Sequence, residues 1–192
     1  MTGLVSRVAG TAGAAPFTTG YSPATNVLLG NPPDLALDAS GRVVVAGGAV
    51  VLRLDLAANA FTPIAGTGVS GFAGDGGPAT SARLNDVTSV AYDAAGNLYL
   101  ADRSNGRVRR VDAVTGVITT VAGNGALFSS AGDGGPATAA SVHPWKVAVG
   151  PDGSIFVADR QNHRVRKVSP AGTISTVAGN GAGKPPKRKL IE

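Results

Sequence analysis

The sequence predicts an all-β protein built from a repeated four-stranded antiparallel unit. Three observations carry that expectation. The heptapeptide GDGGPAT occurs twice, at residues 74–80 and 132–138, with similar sequence flanking both copies. An AG-containing tetrapeptide (AGTA, AGTG, AGNG, AGNG) recurs at Ala9, Ala65, Ala122 and Ala178, a period of 56–57 residues. Composition agrees: 28 Gly and 12 Pro ask for many turns, and Glu192 is the only glutamate in a chain whose other acids are all Asp, a balance that favours turns and strands over helices.

Each element follows from the period-2 pattern of β-branched residues broken by Gly-containing turns. In the second unit the predicted strands are 89–92, 98–101, 107–111 and 117–121; in the third they are 146–149, 155–158, 164–168 and 174–177. Asp38 to Gly41, Asp93 to Gly96 and Gly150 to Gly153 supply Gly where a tight hairpin needs positive φ, and join the first strand to the second. Asp102 to Asn105 and Asp159 to Asn162 join the second strand to the third, where short Asx side chains are expected to bond the amides of their own turn. GDGGPAT then connects one unit to the next, and the following ATSARL and ATAASV read as a single helical turn that seats the loop. The organisation expected is therefore 1–10 as the outer strand of a preceding or partner unit, 11–66 as a degenerate first unit, 67–123 and 124–181 as full units, and 182–192 as a basic, disordered tail. Within 1–10, Leu4 to Ala9 reads as a strand because VSRVAG matches ITTVAG and ISTVAG elsewhere.

Such sheets cannot bury both faces alone and must stack. Ala occupies the middle of the first strand of every unit, at Ala36, Ala91 and Ala148, as suits a crowded strand beside a propeller axis. The segments AD-R-x-N-x-R-V-R at Ala101–Arg109 and Ala158–Arg166 resemble the NHL repeat, and Asn162-His163 matches that family's Asn-His dipeptide. Together with AGDGGPAT and the trailing TTVAGNG, they are similar to the longer NHL repeats of bacterial proteins and of the teneurin propeller. The resemblance implies a six-bladed β-propeller, so three blades are expected to form half a ring, completed by a second chain or belonging to a longer array. The first unit departs from the pattern: Gly47-Gly48 stands where the others have Asp and Asn, and Ser22-Pro23-Ala24-Thr25 keeps only the end of GDGGPAT.

Composition excludes several chemistries. The chain has no Cys, hence no disulfide, thiolate metal site or cysteine nucleophile. No apolar run reaches the length of a membrane span, and Arg7 interrupts the stretch a signal peptide would need, which points to a cytoplasmic location by default and an extracellular one if an N-terminal segment is missing. Of the formal net charge of +5, most sits in Lys184, Lys187, Arg188 and Lys189, a short tail that resembles a nuclear-localisation signal or an anionic-surface contact.

The polar motif residues Asp75, Asp133, Asp102, Asn105, Arg107, Asp159, Asn162 and Arg164 read as the structural repeat, not as a site. A lone Asp in a Gly-rich loop is a poor hard-cation ligand, and the third-strand arginines, with acids at the same strand ends, are expected to pair inside and between blades. No catalytic group, metal or cofactor is expected. The units differ most around Tyr21, Asn85, His143 and Trp145, which become the candidate binding face. The function expected is a non-catalytic scaffold that presents propeller-face loops to a protein or carbohydrate partner, with self-association to close the ring. Two other readings stand beside it. One is a metal-dependent lactonase or lyase assembled across two half-propellers, pooling His143, Asp34 and Asp86. The other is RNA binding through the arginine strands, which the lack of interleaved aromatics disfavours.

Overall fold

The computed structural model describes residues 23–24, 32–129 and 131–182. The predicted strand at Leu4 to Ala9, Tyr21 and the basic tail lie outside them. The period-2 segments pair into three four-stranded antiparallel sheets in sequence order. Blade 1 contains β1 (Leu35–Leu37), β2 (Val43–Gly47), β3 (Val50–Asp55) and β4 (Ala60–Ala65). Blade 2 contains β5 (Val87–Tyr92), β6 (Leu98–Asp102), β7 (Arg107–Val111) and β8 (Ile118–Ala122); blade 3 contains β9 (Pro144–Val149), β10 (Ile155–Asp159), β11 (Arg164–Val168) and β12 (Ile174–Ala178). Innermost strands start two residues earlier than the β-branched pattern suggests, because Val87 pairs with Asp102 and Pro144 with Asp159 across a register shift.

The turns follow their residues. Asp93 accepts the N–H groups of Ala95 and Asn97 at 3.0 and 2.8 Å, and Asp38 accepts those of Ser40 and Arg42 at 2.9 and 3.0 Å. The turn between the second and third strands is a 3-10 turn ended by a left-handed residue, Gly106 at φ 59° in blade 2 and His163 at φ 49° in blade 3. Asp102 and Asp159 do not bond their own turn amides as expected. Their carboxylates reach back to the segment leading into the inner strand, where Asp102 accepts the Asn85 N–H and Asp159 the His143 N–H, each at 2.8 Å.

The GDGGPAT connectors bind the blades to one another. Pro78 leads into a 3-10 turn at Ala79–Ser81, and Pro136 into one at Ala137–Ala139, the single helical turn predicted. On one side the turn bonds to the loop that leads into its own blade's outer strand: Ala79 N–H donates to Gly116 O at 2.9 Å, and Ala137 N–H to Gly172 O at 2.8 Å. On the other it caps the preceding blade, where Gly66 N–H donates to Ala79 O and Gly123 N–H to Ala137 O, each at 2.9 Å. Even the decayed first copy keeps half of this, since Ala24 N–H donates to Asn59 O at 2.8 Å, with Asn59 at φ 49° where Gly116 and Gly172 stand.

The core accordingly lies between blades. Ala79, Ala82 and Leu84 of the first connector pack with Val44, Ala46, Val51 and Ala65 of blade 1 and with Leu98, Leu100 and Ile118 of blade 2. Ala137, Ala140 and Val142 repeat the arrangement between Ala101, Val108 and Ala122 of blade 2 and Ile155, Val157 and Ile174 of blade 3. Gly is required at the end of the outer strand: a Cβ on Gly123, at φ 93°, would meet Gly106 O at 2.1 Å and Val142 Cγ2 at 2.8 Å.

Candidate functional site

The largest charged groups of the motif are buried in the blades. Arg109 on β7 and Arg166 on β11 are both 0% exposed, as are Asp102 and Asp159 at the ends of β6 and β10. Arg109 bridges two carboxylates, Asp102 at 3.3 Å and Asp75 of the GDGGPAT loop at 2.7 Å. Asn105 Nδ2 donates to both Asp102 oxygens at 2.9 Å and to Gly71 O at 2.8 Å, and Thr120 Oγ1 donates to Asp75 at 2.6 Å. Blade 3 repeats the set: Arg166 pairs with Asp159 at 3.4 Å and Asp133 at 2.6 Å, while Asn162 Nδ2 donates to Asp159 and Ser129 O at 2.8 Å.

Burial pushes the Asp102 carboxyl above its ordinary value against the pull of Asn105, the Asn85 amide and Arg109. Asp133 behaves oppositely: burial works against its ionisation, but the Arg166 guanidinium and neighbouring donors hold it below the usual carboxylate value. Asp75 and Asp133 are therefore clamps that fasten the connector onto the third strand of their own blade. Blade 1 shows what replaces them. Gly47 and Leu52 occupy the pairing positions of Asp102 and Arg109, and Leu52, also 0% exposed, packs with Val45, Val50, Leu54 and Phe61. Acid and base are absent together from blade 1, as the cost of an unpaired buried charge demands.

The remaining arginines are also engaged. Arg107 donates to the carbonyls of Asn105 and Asn124 at 2.7 and 3.0 Å and stacks over Phe72 at 3.7 Å, and Arg110 pairs with Asp112 at 2.8 Å. Arg164 lies on the free flank of blade 3, beside Val165 and Ala178.

Of the predicted binding-face residues, three are described, and the antiparallel register places them at the end of the sheets that carries the 103–106 and 160–163 turns. Trp145 is 36% exposed, held between the guanidinium groups of Arg103 of blade 2 at 5.1 Å and Arg160 of blade 3 at 4.2 Å. Its carbonyl accepts the Thr88 hydroxyl at 2.8 Å. Arg103 is fixed in turn by Asp86. His143 is only 8% exposed; burial first, then the charges of Arg103 and Arg160, hold its imidazole below the ordinary 6.5, so it is neutral at pH 7. Asn85 is half-buried and occupies the place of His143 in blade 2. Sequence reasoning missed Arg103 and Arg160 as partners of Trp145; their AD-R placement directly after the second strand was the available signal.

Within a single chain, the three groups that the hydrolase reading pools across two half-propellers are each engaged separately. Asp34 accepts from Ser89 Oγ at 2.8 Å and Lys146 Nζ at 3.2 Å, and Ser89 Oγ accepts the Val147 N–H at 3.2 Å, a chain that ties the three inner strands together. Asp86 is paired with Arg103, and His143 offers its backbone to Asp159. Among the described residues no three His, Asp or Glu side chains come close enough to hold a metal ion, and no helix is long and apolar enough to cross a membrane.

The family model for the NHL repeat matches residues 142–168, from the connector end through β9, β10 and β11. The chain carries an NHL repeat. Sequence similarity extends beyond that repeat: teneurin-1 of Mus musculus is 34% identical over 100 residues, covering 45% of this chain and 4% of teneurin-1. The chain thus spans a small part of the curated relatives it matches. Among solved structures, an auxiliary nutrient binding protein from Bacteroides thetaiotaomicron is 20% identical with a TM-score of 0.56, covering 74% of this chain and 36% of that one. A gluconolactonase from Xanthomonas campestris is 18% identical with a TM-score of 0.50, covering 73% and 44%. These likenesses establish the fold, a β-propeller of NHL-type blades, which hosts binding proteins and enzymes alike.

Proposed function

We propose that this NHL chain is a binding scaffold that engages a protein partner through the face formed by Trp145, Arg103, Arg160 and the neighbouring Asn85 and His143. The observation that supports the reading is the division of labour among polar residues. Arg109, Arg166, Asp102 and Asp159 are consumed by buried pairs, whereas Trp145 and Arg160 are held in place and still reach solvent. An aromatic ring fixed between two guanidinium groups offers rigid contact area at small entropic cost, and such Trp and Arg groups dominate interface energetics. A cationic rim of this kind selects acidic partner surfaces.

The same pairs count against RNA binding through the third strands, because Arg109 and Arg166 have no exposed surface to offer. A peptide and glycan array probed with the chain tests the reading. Binding to acidic peptides that is lost in Trp145→Ala and Arg160→Ala, and kept in Val114→Ser at the opposite end of the sheets, supports it. Binding indifferent to Trp145→Ala overturns it, as does stoichiometric divalent metal accompanied by turnover in a lactone and ester screen.

A further inference from the structure

We propose that Asn124 is a site of spontaneous deamidation, a covalent modification that puts a carboxylate in place of a side-chain donor at the seam between blade 2 and the connector of blade 3. The inference concerns a different part of the molecule from the partner-binding face and does not rest on it.

Asparagine followed by glycine is prone to cyclisation, because no side chain shields the amide nitrogen that must attack. The chain holds Asn105-Gly106, Asn124-Gly125 and Asn180-Gly181. The fold treats the first two in opposite ways. Asn105 is only 9% exposed, its Nδ2 donates to Asp102 and to Gly71 O, and the Gly106 N–H is tied to Arg103 O at 2.9 Å. Asn124 is exposed, and the Gly125 N–H has no hydrogen-bond partner among the described residues. The Ala126 N–H donates to Asn124 Oδ1 at 2.9 Å. That bond draws electron density away from Cγ, the atom under attack, as a donor aimed at a developing oxyanion does.

The reaction needs only water. The Gly125 nitrogen gives up its proton to solvent and bonds to Asn124 Cγ; the Cγ–Nδ2 bond breaks, and Nδ2 leaves as ammonia with a proton from solvent. Water then opens the five-membered imide at one of its two carbonyls, giving an aspartyl or an isoaspartyl residue and one new carboxylate. In the isoaspartyl product that carboxylate is the former main-chain carbonyl of Asn124, which already accepts from Arg107 Nη2 at 3.0 Å.

The lost group has a job in the fold. Asn124 Nδ2 donates to Ala139 O at 2.9 Å, in the 3-10 turn that seals the edge of blade 2. A carboxylate there has no proton to give and sets two acceptors against each other. The glycine cannot be exchanged to protect the site, since Gly125 has φ 94° and a Cβ on it would meet Arg107 Nη1 at 2.7 Å. The equivalent turn after blade 1 manages without the amide: Thr67 Oγ1 accepts the Val69 N–H at 3.3 Å.

Peptide mapping by mass spectrometry tests this on the whole chain aged in warm, mildly alkaline buffer, both folded and in urea. In the folded chain Asn124 is expected to convert to aspartyl and isoaspartyl products about tenfold or more faster than Asn105, whose reaction requires local opening; in urea the two rates should converge. Asn180, also exposed, with its Oδ1 accepting the Ala182 N–H at 2.9 Å, is expected to convert alongside Asn124. Asn124→Thr borrows the residue used after blade 1 and should abolish conversion at this position. Asn124→Asp reproduces one product and should unfold at lower urea than Asn124→Thr, which loses the same hydrogen bond without adding a charge. An Asn124 that converts only in urea, or no faster than Asn105 in the folded chain, overturns the proposal. An Asn124→Asp variant as stable as Asn124→Thr overturns the effect on the seam.

Discussion

Arg109→Leu tests the energetic logic of the blade most sharply. Arg109 and Asp102 are each 0% exposed and lie 3.3 Å apart. Removing the guanidinium leaves Asp102 buried with only the Asn105 side chain and the Asn85 amide as donors, while Asp75, which is partly exposed, returns to water. Breaking one side of a buried pair costs about 3–5 kcal/mol, and for a chain of this size that lowers the thermal midpoint by about 6–20 °C. The double variant Arg109→Leu/Asp102→Ala approximates the apolar solution of blade 1, Leu52 opposite Val45 with Gly47 at the strand end. It still strands the Asn85 N–H, at about 1–3 kcal/mol, so it should recover a kilocalorie or more relative to Arg109→Leu. Urea unfolding followed by circular dichroism measures both. A cost for Arg109→Leu below about 1 kcal/mol, the range of a surface pair, would refute the reasoning. A double variant no better than the sum of its singles would refute it equally.

Three further expectations follow from the same contacts. Gly123→Ala places a Cβ 2.1 Å from Gly106 O at φ 93° and should destabilise by more than about 2 kcal/mol; Gly134→Ala, at φ 82° in open space, should cost only about 1–2 kcal/mol, both read from urea midpoints. His143 is held below 6.5 by burial and by Arg103 and Arg160, so the unfolded chain takes up its proton first and stability falls as pH drops through 6.5. His143→Asn, the residue blade 2 uses at this place, should remove that slope in thermal melts taken across the range. Asp93 is pulled upward by burial but held below 3.8 overall by Asn97, Tyr99 and the Ala95 amide, and Asp112 is held low by the Thr115 donors. Their contribution is present above 3.8 and lost as pH falls through the folded value, so Asp93→Asn should flatten the acid limb of the melting curve.

The sequence made the strands and turns legible because each depends on neighbours within a few residues. The RVRRV and RVRKV segments, each opening just after a left-handed turn residue, set β7 and β11 to the residue, and Asp93 and Gly96 specify a hairpin by their own side chain and φ. It also showed that charged residues at strand ends would pair. What local pattern could not show is that Asp75 reaches Arg109 on a strand 34 residues away, or that this arginine is wholly buried, since Arg107, Arg109 and Arg110 look alike in sequence and only packing against the connector separates them. One trace was available: the first unit lacks the loop Asp, the strand-end Asp and the Arg together, with Leu52 in the last position. The stacking of Arg103 on Trp145 was hidden for a related reason, because it joins two blades.

The central claim is that the repeated motif serves cohesion, with each connector sealing the edge of the blade before it. Amide hydrogen exchange on the chain at low concentration tests this most directly. Gly66, Thr67, Gly123 and Asn124, whose N–H groups are bonded to connector carbonyls, should be protected, and the equivalent Gly179 and Asn180 should exchange at rates near those of an open strand end. Equally fast exchange at Gly123 and Asn124 would contradict the account.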